Sequence, residues 1–266
     1  MTEAPRTELL AIAVEAARRA GELLRTGRPD DLGVAATKSS PIDVVTEMDI
    51  AAEKLITEFI GGHRPEDGFL GEEGASVEGT SGVRWVIDPL DGTVNYLYGL
   101  PAWSVSIAAE QDGRVVVGAV EVPMRAETFH AVEGEGAFRN GERVRCRTAP
   151  PFSQALVATG FGYLTQRRDN QAAVARQLLP RVRDIRRAGS AAIDLCDVAC
   201  GRLDAYYERG LHPWDYSAGG LIAQEGRALV GGRPGDGASE ELTVAGVPGV
   251  FEPLQTLLDD LGAWHD

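Results

Sequence analysis

The residues best suited to chemistry lie in one stretch, residues 85–93, with the sequence WVIDPLDGT. An apolar run ends there in two aspartates three positions apart. Carboxylate and carbonyl oxygens are the ligands that hard divalent cations such as Mg²⁺ prefer, and free backbone N–H groups at the start of a helix suit a phosphate. We therefore expect one turn to hold both metal and phosphate through Asp88, the Leu90 carbonyl, Asp91, Gly92 and Thr93.

The local sequence predicts how this turn is built. Residues 85–87 are typical of a buried strand, and Pro89 should end that strand near Asp88 because proline cannot donate a ladder hydrogen bond. Asp91 is placed to cap the short helix that follows. Two aspartates at this spacing could equally be turn caps alone, so the metal interpretation needs support elsewhere in the chain.

Other segments carry acidic or cap-forming residues, and each has an ordinary structural explanation. Thr46 and Asp49 form an [ST]-x-x-[DE] capping box. Glu72 and Glu73 follow a short apolar run, and because neighbouring side chains point to opposite faces of an extended chain, at most one of them should face a site. Ser190 is a helix N-cap, and Asp215 near the start of a helix is favoured by the helix dipole.

The full string DPLDGT resembles the signature of the inositol monophosphatase family, the Mg²⁺-dependent, lithium-sensitive sugar phosphatases. Three further strings resemble the family's other motifs and occur in the expected order: KSSPIDVVTEMD, GEE and WDYSAG. GSAA and YYERG resemble the segments that line its substrate pocket. The resemblance implies a layered αβαβα sandwich, an α+β or α/β fold.

The resemblance also implies the roles of the site residues. The implied metal ligands are Glu72, Asp88, Leu90, Asp91 and Asp215. The implied catalytic residues, which prepare or position the attacking water, are Asp49, Glu72 and Thr93. The implied substrate contacts are Asp91, Gly92, Thr93, Gly189, Ser190, Ala191, Glu208 and Asp215. Lys38 would come from a loop over the metal site, and Glu73 would be solvated or structural.

The implied reaction is hydrolysis of a phosphate monoester, with myo-inositol 1-phosphate as the first candidate substrate. Two Mg²⁺ ions about 3.5–4 Å apart would clamp the phosphate, with a third ion held more weakly through Glu72. Under this assignment, Asp91→Asn should nearly abolish turnover and leave the fold intact. The metal motifs contact the phosphate and not the alcohol, so histidinol phosphate, fructose 1,6-bisphosphate and a 3′-phosphonucleotide stay open as substrates. Glu208 favours a small polyol. A non-catalytic regulatory protein that kept the fold is the alternative from another class.

Apolar periodicity predicts helices over residues 7–26 and from Asp43 to about Ile60, separated by a mobile loop over residues 30–41. Asp112-Gly113 and Asn140-Gly141 predict tight hairpins in a main antiparallel sheet. We place a domain boundary near residue 150. Residues 1–150 would form an α+β domain with most of the metal ligands, and residues 151–266 an α/β domain that completes the site.

Composition limits the partners. A net charge of −14 argues against nucleic acid or an anionic membrane as a partner, and it requires a metal to attract a phosphorylated substrate. Three cysteines in no paired framework suit a reducing cytoplasm. We find no signal peptide and no apolar run of membrane-spanning length. The resemblance implies a homodimer.

Overall fold

The computed structural model describes residues 5–30, 32–39 and 44–265. Part of the predicted loop over residues 30–41, together with Ile42 and Asp43 of the first motif, lies outside the described residues. Within them, the helices are α1 Arg6–Gly27, α2 Glu47–His63, α3 Thr93–Leu97, α4 Thr165–Leu178, α5 Ala191–Ala199, α6 Pro213–Glu225 and α7 Phe251–Asp260.

The larger sheet has eight strands in the order β10-β9-β8-β7-β6-β5-β3-β4. Their bounds are β3 Gly68–Gly71, β4 Ser76–Val77, β5 Val83–Asp91, β6 Ser104–Gln111, β7 Arg114–Val122, β8 Glu127–Val132, β9 Gly136–Arg139 and β10 Glu142–Val144. A separate two-stranded ribbon pairs β1 Ala36–Thr37 with β2 Val44–Val45.

The smaller sheet has five strands in the order β12-β11-β13-β15-β14. Their bounds are β11 Leu156–Thr159, β12 Asp184–Arg186, β13 Ala205–Glu208, β14 Leu229–Gly231 and β15 Thr243–Gly246. Strand β11 runs parallel to both β12 and β13, whereas β15 runs antiparallel to its two neighbours.

Five layers stack through three hydrophobic cores. Helices α1 and α2 cover one face of the larger sheet, α5 and α6 fill the space between the two sheets, and α4 and α7 cover the outer face of the smaller sheet. Side chains alternate along β5, so this strand contributes to the cores on both faces of the larger sheet. Trp85 and Ile87 lie in the first core, and Val86 between them lies in the second. The layered αβαβα prediction is therefore confirmed.

The predicted Asn140-Gly141 hairpin is present, because the backbone conformation of this turn depends on its own two residues. Asn140 and Gly141 have φ values of 51° and 81°, which is the conformation that a two-residue hairpin requires. The larger sheet is mixed and not purely antiparallel, because β3 runs parallel to β5.

Two predicted boundaries are wrong. The second helix begins at Glu47 and not at Asp43, because residues 44–45 pair with β1 as a short strand. Strand β5 continues to Asp91 and does not end near Asp88: its register with β6 is regular up to Asp88, shifts across Pro89, and resumes at Asp91 opposite Ser104.

The two sheets follow the predicted halves of the chain, since every strand of the larger sheet precedes residue 150 and every strand of the smaller sheet follows it. Helices α5 and α6 nevertheless share one core with both sheets. A division into two domains at residue 150 stays a prediction. In the described residues, no helix combines the length and apolarity needed to cross a bilayer.

Candidate active site

A cavity of about 360 Å³ opens where β5 ends and helices α5 and α6 begin. The implied site residues that line it are Glu72, Asp88, Leu90, Asp91, Gly92, Thr93, Gly189, Ala191, Glu208 and Asp215. The structure thus brings together residues that are distant in sequence and that belong to both halves of the chain. Asp49 and Ser190 lie behind this wall, at 1% and 2% exposure.

The parallel pairing of β3 with β5 brings Glu72 beside Asp88. Gly71 lies opposite Ile87 in the register, and the Glu72 N–H donates to the Ile87 carbonyl at 3.2 Å. The next residue on each strand therefore projects from the same end of the sheet. The Leu90 N–H donates to Oδ1 of Asp88 at 2.9 Å, which fixes that carboxylate within the turn.

Asp91 does not cap α3, contrary to the sequence prediction; the residue at that N-cap is Gly92, which makes no side-chain capping bond. Asp91 instead accepts hydrogen bonds from the beginning of α5. The Ser190 hydroxyl donates to Oδ2 at 2.6 Å, and the Ala192 N–H donates to the same oxygen at 2.8 Å. The carboxylate therefore ties the end of β5 to a helix in the second half of the chain.

Asp49 acts on the cavity through Thr93. The Thr93 hydroxyl lies 2.9 Å from Oδ1 of Asp49 and 3.0 Å from the Leu90 carbonyl. The other oxygen of Asp49 accepts from the Thr46 N–H at 2.9 Å and completes the predicted capping box of α2. Burial raises the pKa of Asp49 to about 6. Asp49 thus both caps a helix and orients the hydroxyl of Thr93.

Asp215 stands in the first turn of α6 and accepts from the His212 N–H at 2.6 Å. The imidazole of His212 is exposed and stacks on Trp214, with ring centroids 4.8 Å apart. His212 is therefore a packing residue. A role as a Mg²⁺ ligand was not expected, because Mg²⁺ prefers oxygen ligands.

Glu208, at the end of β13, also lines the cavity. Its Oε2 accepts from the Tyr206 hydroxyl at 2.7 Å. Burial raises the pKa of Glu208 to about 7. Ser190, an implied substrate contact, points away from this space and supports Asp91, whereas Gly189 and Ala191 lie on the wall.

Lys38 bridges the two neighbouring glutamates. Its Nζ lies 2.7 Å from Oε1 of Glu72 and 2.6 Å from Oε1 of Glu73. Both residues lie in the turn after β3 and not in an extended strand. Of the two, Glu72 lines the cavity and Glu73 does not, in agreement with the expectation that at most one of them faces the site. With only 7% of its side chain exposed, Glu73 is structural and not solvated.

A family model described as the inositol monophosphatase family matches residues 6–246. The chain belongs to this family. Over 239 residues it is 44% identical to an inositol-1-monophosphatase of Mycobacterium bovis, covering 86% of this chain and 82% of that one. Over 257 residues it is 40% identical to the Escherichia coli K12 protein named Nus factor SuhB, covering 95% and 96%.

A solved structure of the extragenic suppressor protein suhB of Bartonella henselae superposes with a TM-score of 0.89 at 35% identity. It covers 94% of this chain and 98% of that one. Membership of the inositol monophosphatase family confirms the expectation that this chain is an enzyme of the phosphatase type.

The acidic floor of this family member fits a cation. Burial, and then the charges of Glu72, Asp91 and Asp215, raise the pKa of Asp88 well above its ordinary value. Burial and the same two neighbours, Glu72 and Asp91, do so for Asp215. Like charges held this close require protons or a cation between them, and a set made only of oxygen donors suits Mg²⁺ or Ca²⁺.

The side chains of the described residues do not yet form a closed coordination shell, since no group of three or more acidic, histidine or cysteine side chains there is arranged to hold a metal. The fit therefore rests on the donor chemistry and on the mutual repulsion of the carboxylates.

Sequence reasoning missed residues that support the site. Tyr206 lies two positions before Glu208 on β13, so strand alternation could have placed it on the same face. The Asn95 side chain donates to the carbonyls of Ala102 and Ala188 at 2.6 and 2.9 Å. The local sequence does not signal the second of these contacts, because Ala188 is 93 positions away along the chain.

Proposed function

We propose that this chain hydrolyses myo-inositol 1-phosphate to myo-inositol and phosphate, with Mg²⁺ as its cofactor. The observation that carries the proposal is the convergence of Glu72, Asp88, Asp91 and Asp215 on one cavity that Glu208 also lines. Such a site pairs a floor suited to metal and phosphate with a carboxylate suited to accept hydrogen bonds from a polyol.

The proposed metal ligands divide into two sets. Glu72, Asp88 and the Leu90 carbonyl would hold one ion, and Asp88, Asp91 and Asp215 a second, while Glu72 could share a third. Bound Mg²⁺ would neutralise the charge of the phosphate and stabilise the alkoxide that leaves.

The remaining roles belong to the chain's own groups. The Thr93 hydroxyl, held by Asp49 at 2.9 Å, would orient the attacking water, and the N–H groups of Gly92 and Thr93 would bind phosphate oxygens. On the polyol side, Glu208 would accept a hydroxyl hydrogen bond, with its carboxylate fixed by Tyr206. Gly189 and Ala191 would shape the wall against the ring.

The test is phosphate release at saturating Mg²⁺ from four esters in parallel: myo-inositol 1-phosphate, histidinol phosphate, fructose 1,6-bisphosphate and 3′-phosphoadenosine 5′-phosphate. A higher kcat/KM for myo-inositol 1-phosphate supports the proposal. A preference for another ester would keep the metal site and overturn the substrate, since the metal ligands contact only the phosphate.

Glu72→Gln tests the metal assignment, because it removes one ligand charge and keeps the size of the side chain. We expect kcat to fall by at least about 100-fold, the scale that loss of a group stabilising transition-state charge produces. Glu73→Gln is the matched control. Glu73 is adjacent to Glu72 in the chain and also forms an ion pair with Lys38, but it does not line the cavity. Equal activity in the two variants would contradict the assignment.

A second candidate, a regulatory protein that kept the fold, gains support from the Escherichia coli relative, which is named as a Nus factor at 40% identity. Phosphate release separates the two candidates. A folded protein that binds Mg²⁺ and releases no phosphate from any of the four esters would favour the regulatory role.

We also propose, on family resemblance, that the protein is a lithium-sensitive homodimer of the cytoplasm. Light scattering after size exclusion gives the number of subunits, and titration with Li⁺ during turnover tests the sensitivity. A monomer, or activity unchanged by Li⁺, would contradict the corresponding part.

A further inference from the structure

Glu53 is a buried acidic residue that the proposed mechanism does not use. It lies in α2, is 7% exposed, and is not among the residues that line the active-site cavity. A buried carboxylate is costly unless hydrogen bonds satisfy its oxygens. The partners of Glu53 therefore indicate its role.

Both oxygens of Glu53 accept hydrogen bonds from the turn that follows β3. The Glu73 N–H donates to Oε2 at 2.9 Å, and the Ala75 N–H donates to Oε1 at 3.0 Å. Hydrogen bonds to an ionised carboxylate are stronger than those between neutral groups. The side chain of Glu53 thus attaches this turn to α2 at two points.

The same turn carries Glu72, a proposed metal ligand. The Glu72 N–H donates to the Ile87 carbonyl at 3.2 Å, and the Gly71 N–H donates to the Ala75 carbonyl at 2.6 Å. These two bonds hold the turn to the end of the larger sheet, and Glu53 holds its far part to α2. Glu72 lies between the two attachments, so its position in the cavity depends on both.

Gly71 leaves room for the Glu53 carboxylate. A Cβ added to Gly71 would overlap Oε2 of Glu53 and lie 2.8 Å from its Cδ. Gly71 does not have a positive φ, so the space for the carboxylate, and not the backbone conformation, favours glycine at this position.

Lys38 contacts the side chains of this turn, whereas Glu53 contacts its backbone. Nζ of Lys38 lies 2.7 Å from the carboxylate of Glu72 and 2.6 Å from that of Glu73, and Lys38 lines the cavity. The hydrogen bonds of Glu53 go to the N–H groups of Glu73 and Ala75 and not to the Glu72 carboxylate. Any effect of these hydrogen bonds on the site therefore passes through the position of the turn.

We propose that Glu53 is a positioning residue, which holds the turn of residues 72–75 so that the Glu72 carboxylate lies beside Asp88 and can bind a cation. This inference rests on the proposed function, because it takes Glu72 as a ligand of Mg²⁺. Residues that orient metal ligands without touching the metal contribute about 10- to 100-fold to metal affinity. Loosening the turn should therefore weaken Mg²⁺ binding although every ligand is still present.

The test variant is Glu53→Asp, which keeps the charge and shortens the side chain, so that its carboxylate cannot reach both N–H groups where they now lie. The matched control is Glu225→Asp. Glu225 of α6 holds another turn in the same way, since it accepts from the Gly134 N–H at 2.7 Å and the Gly136 N–H at 2.6 Å, and it does not line the cavity. The readouts are Kd for Mg²⁺, by calorimetry on the metal-free protein, and the midpoint of unfolding in urea with EDTA.

We expect Kd for Mg²⁺ to rise about tenfold or more in Glu53→Asp and to be retained in Glu225→Asp, while the urea midpoint falls in both. In the Glu72→Gln background, Glu53→Asp should raise Kd little further, because residues that act through one another are not additive. An unchanged Kd in Glu53→Asp overturns the proposal. An equal rise in Glu225→Asp, or a full further rise in the Glu72→Gln background, also overturns it.

If Glu53→Asp does not fold, Glu53→Gln and Glu225→Gln take the place of the first pair. Glutamine keeps the size of the side chain, but its amide nitrogen cannot accept a hydrogen bond, so each variant loses one of its two bonds to the turn. A rise in Kd for Mg²⁺ in Glu53→Gln alone would support the proposal, and equal Kd values in the two variants would overturn it.

The positioning role and the proposed function can fail separately. If the wild-type protein binds Mg²⁺ but releases no phosphate, the proposed function fails, and a higher Kd in Glu53→Asp than in Glu225→Asp would still support the role of Glu53. If the wild-type protein releases phosphate and Glu53→Asp binds Mg²⁺ with the wild-type Kd, only the positioning role is overturned.

Discussion

Asp91 has two functions that compete for the same side chain. It is a proposed metal ligand on the cavity floor, and its carboxylate also accepts hydrogen bonds from Ser190 and Ala192 at the start of α5. Burial raises the pKa of Asp91, and the Ser190 hydroxyl opposes that rise. The proposed ligand is thus held in position by α5, the helix that also contributes Ala191 to the cavity.

Asp91→Asn should therefore cost more than activity, which revises the expectation from the sequence that the fold is unaffected. The new amide places a donor against groups that already donate, and an unsatisfied buried pair costs about 1–3 kcal/mol. In saturating Mg²⁺ we expect the free energy of unfolding, measured with urea, to fall by that amount and turnover to be nearly lost.

Asp112→Asn provides the control for this prediction, because Asp112 lies in an exposed hairpin turn with a φ of 51° that asparagine tolerates. It should change neither quantity. Wild-type stability in Mg²⁺ for Asp91→Asn would show that α5 does not depend on the carboxylate.

At the scale of elements, the site depends on how closely α6 packs against β7. A Cβ added to Gly118 would lie 2.7 Å from the Ala218 carbonyl oxygen and 3.1 Å from the Ala218 Cα. Helix α6 begins with the turn that carries Asp215. The position of one proposed metal ligand is therefore set by a glycine on a strand of the other half of the chain.

Gly118→Ala should push α6 away from the sheet. We expect a loss of about 1–3 kcal/mol in the free energy of unfolding, the usual cost of overpacking a core, together with weaker Mg²⁺ binding by calorimetry. Gly61→Ala in α2 is the comparison variant, since nothing lies within 4 Å of the added Cβ. It should leave Mg²⁺ binding unchanged and add up to about 1 kcal/mol through helix propensity. Wild-type Mg²⁺ affinity in Gly118→Ala would contradict the coupling.

At the scale of the whole molecule, the chain carries a net charge of −14 and concentrates buried carboxylates at one cavity. Burial raises the pKa of Glu208 to about 7 and that of Asp49 to about 6, and the pKa values of Asp88 and Asp215 move in the same direction. Carboxyls with raised pKa values stabilise the fold while they are protonated, and that contribution is lost as the pH rises through the folded-state pKa.

Mg²⁺ should therefore stabilise the protein more at pH 7.5 than at pH 5. At the lower pH the carboxyls retain protons, which compete with the cation, and at the higher pH the metal-free protein carries their full repulsion. The measurement is the rise in Tm on replacing EDTA with Mg²⁺ at each pH. Glu72→Gln, which removes one of the charges, should show a smaller rise at pH 7.5. An equal rise at both pH values would contradict this account.

The sequence by itself determined the features that depend on neighbouring residues. The Thr46–Asp49 capping box, the Ser190 N-cap and the Asn140-Gly141 hairpin follow from short-range hydrogen bonds and backbone preferences, and all three are present. The order of the motifs indicated the family and the layered fold, because the motifs can be identified from residue types and spacing alone.

Only the tertiary structure decided which groups meet. Asp91 bonds to α5 and not to α3, Glu72 reaches Asp88 through the parallel pairing of β3 with β5, and Glu208 of β13 lines the same cavity. Each of these contacts joins segments that are far apart along the chain, and packing between layers brings them together. Local propensity carries no signal for such contacts, since the energy that selects them comes from burying surfaces that no single segment possesses.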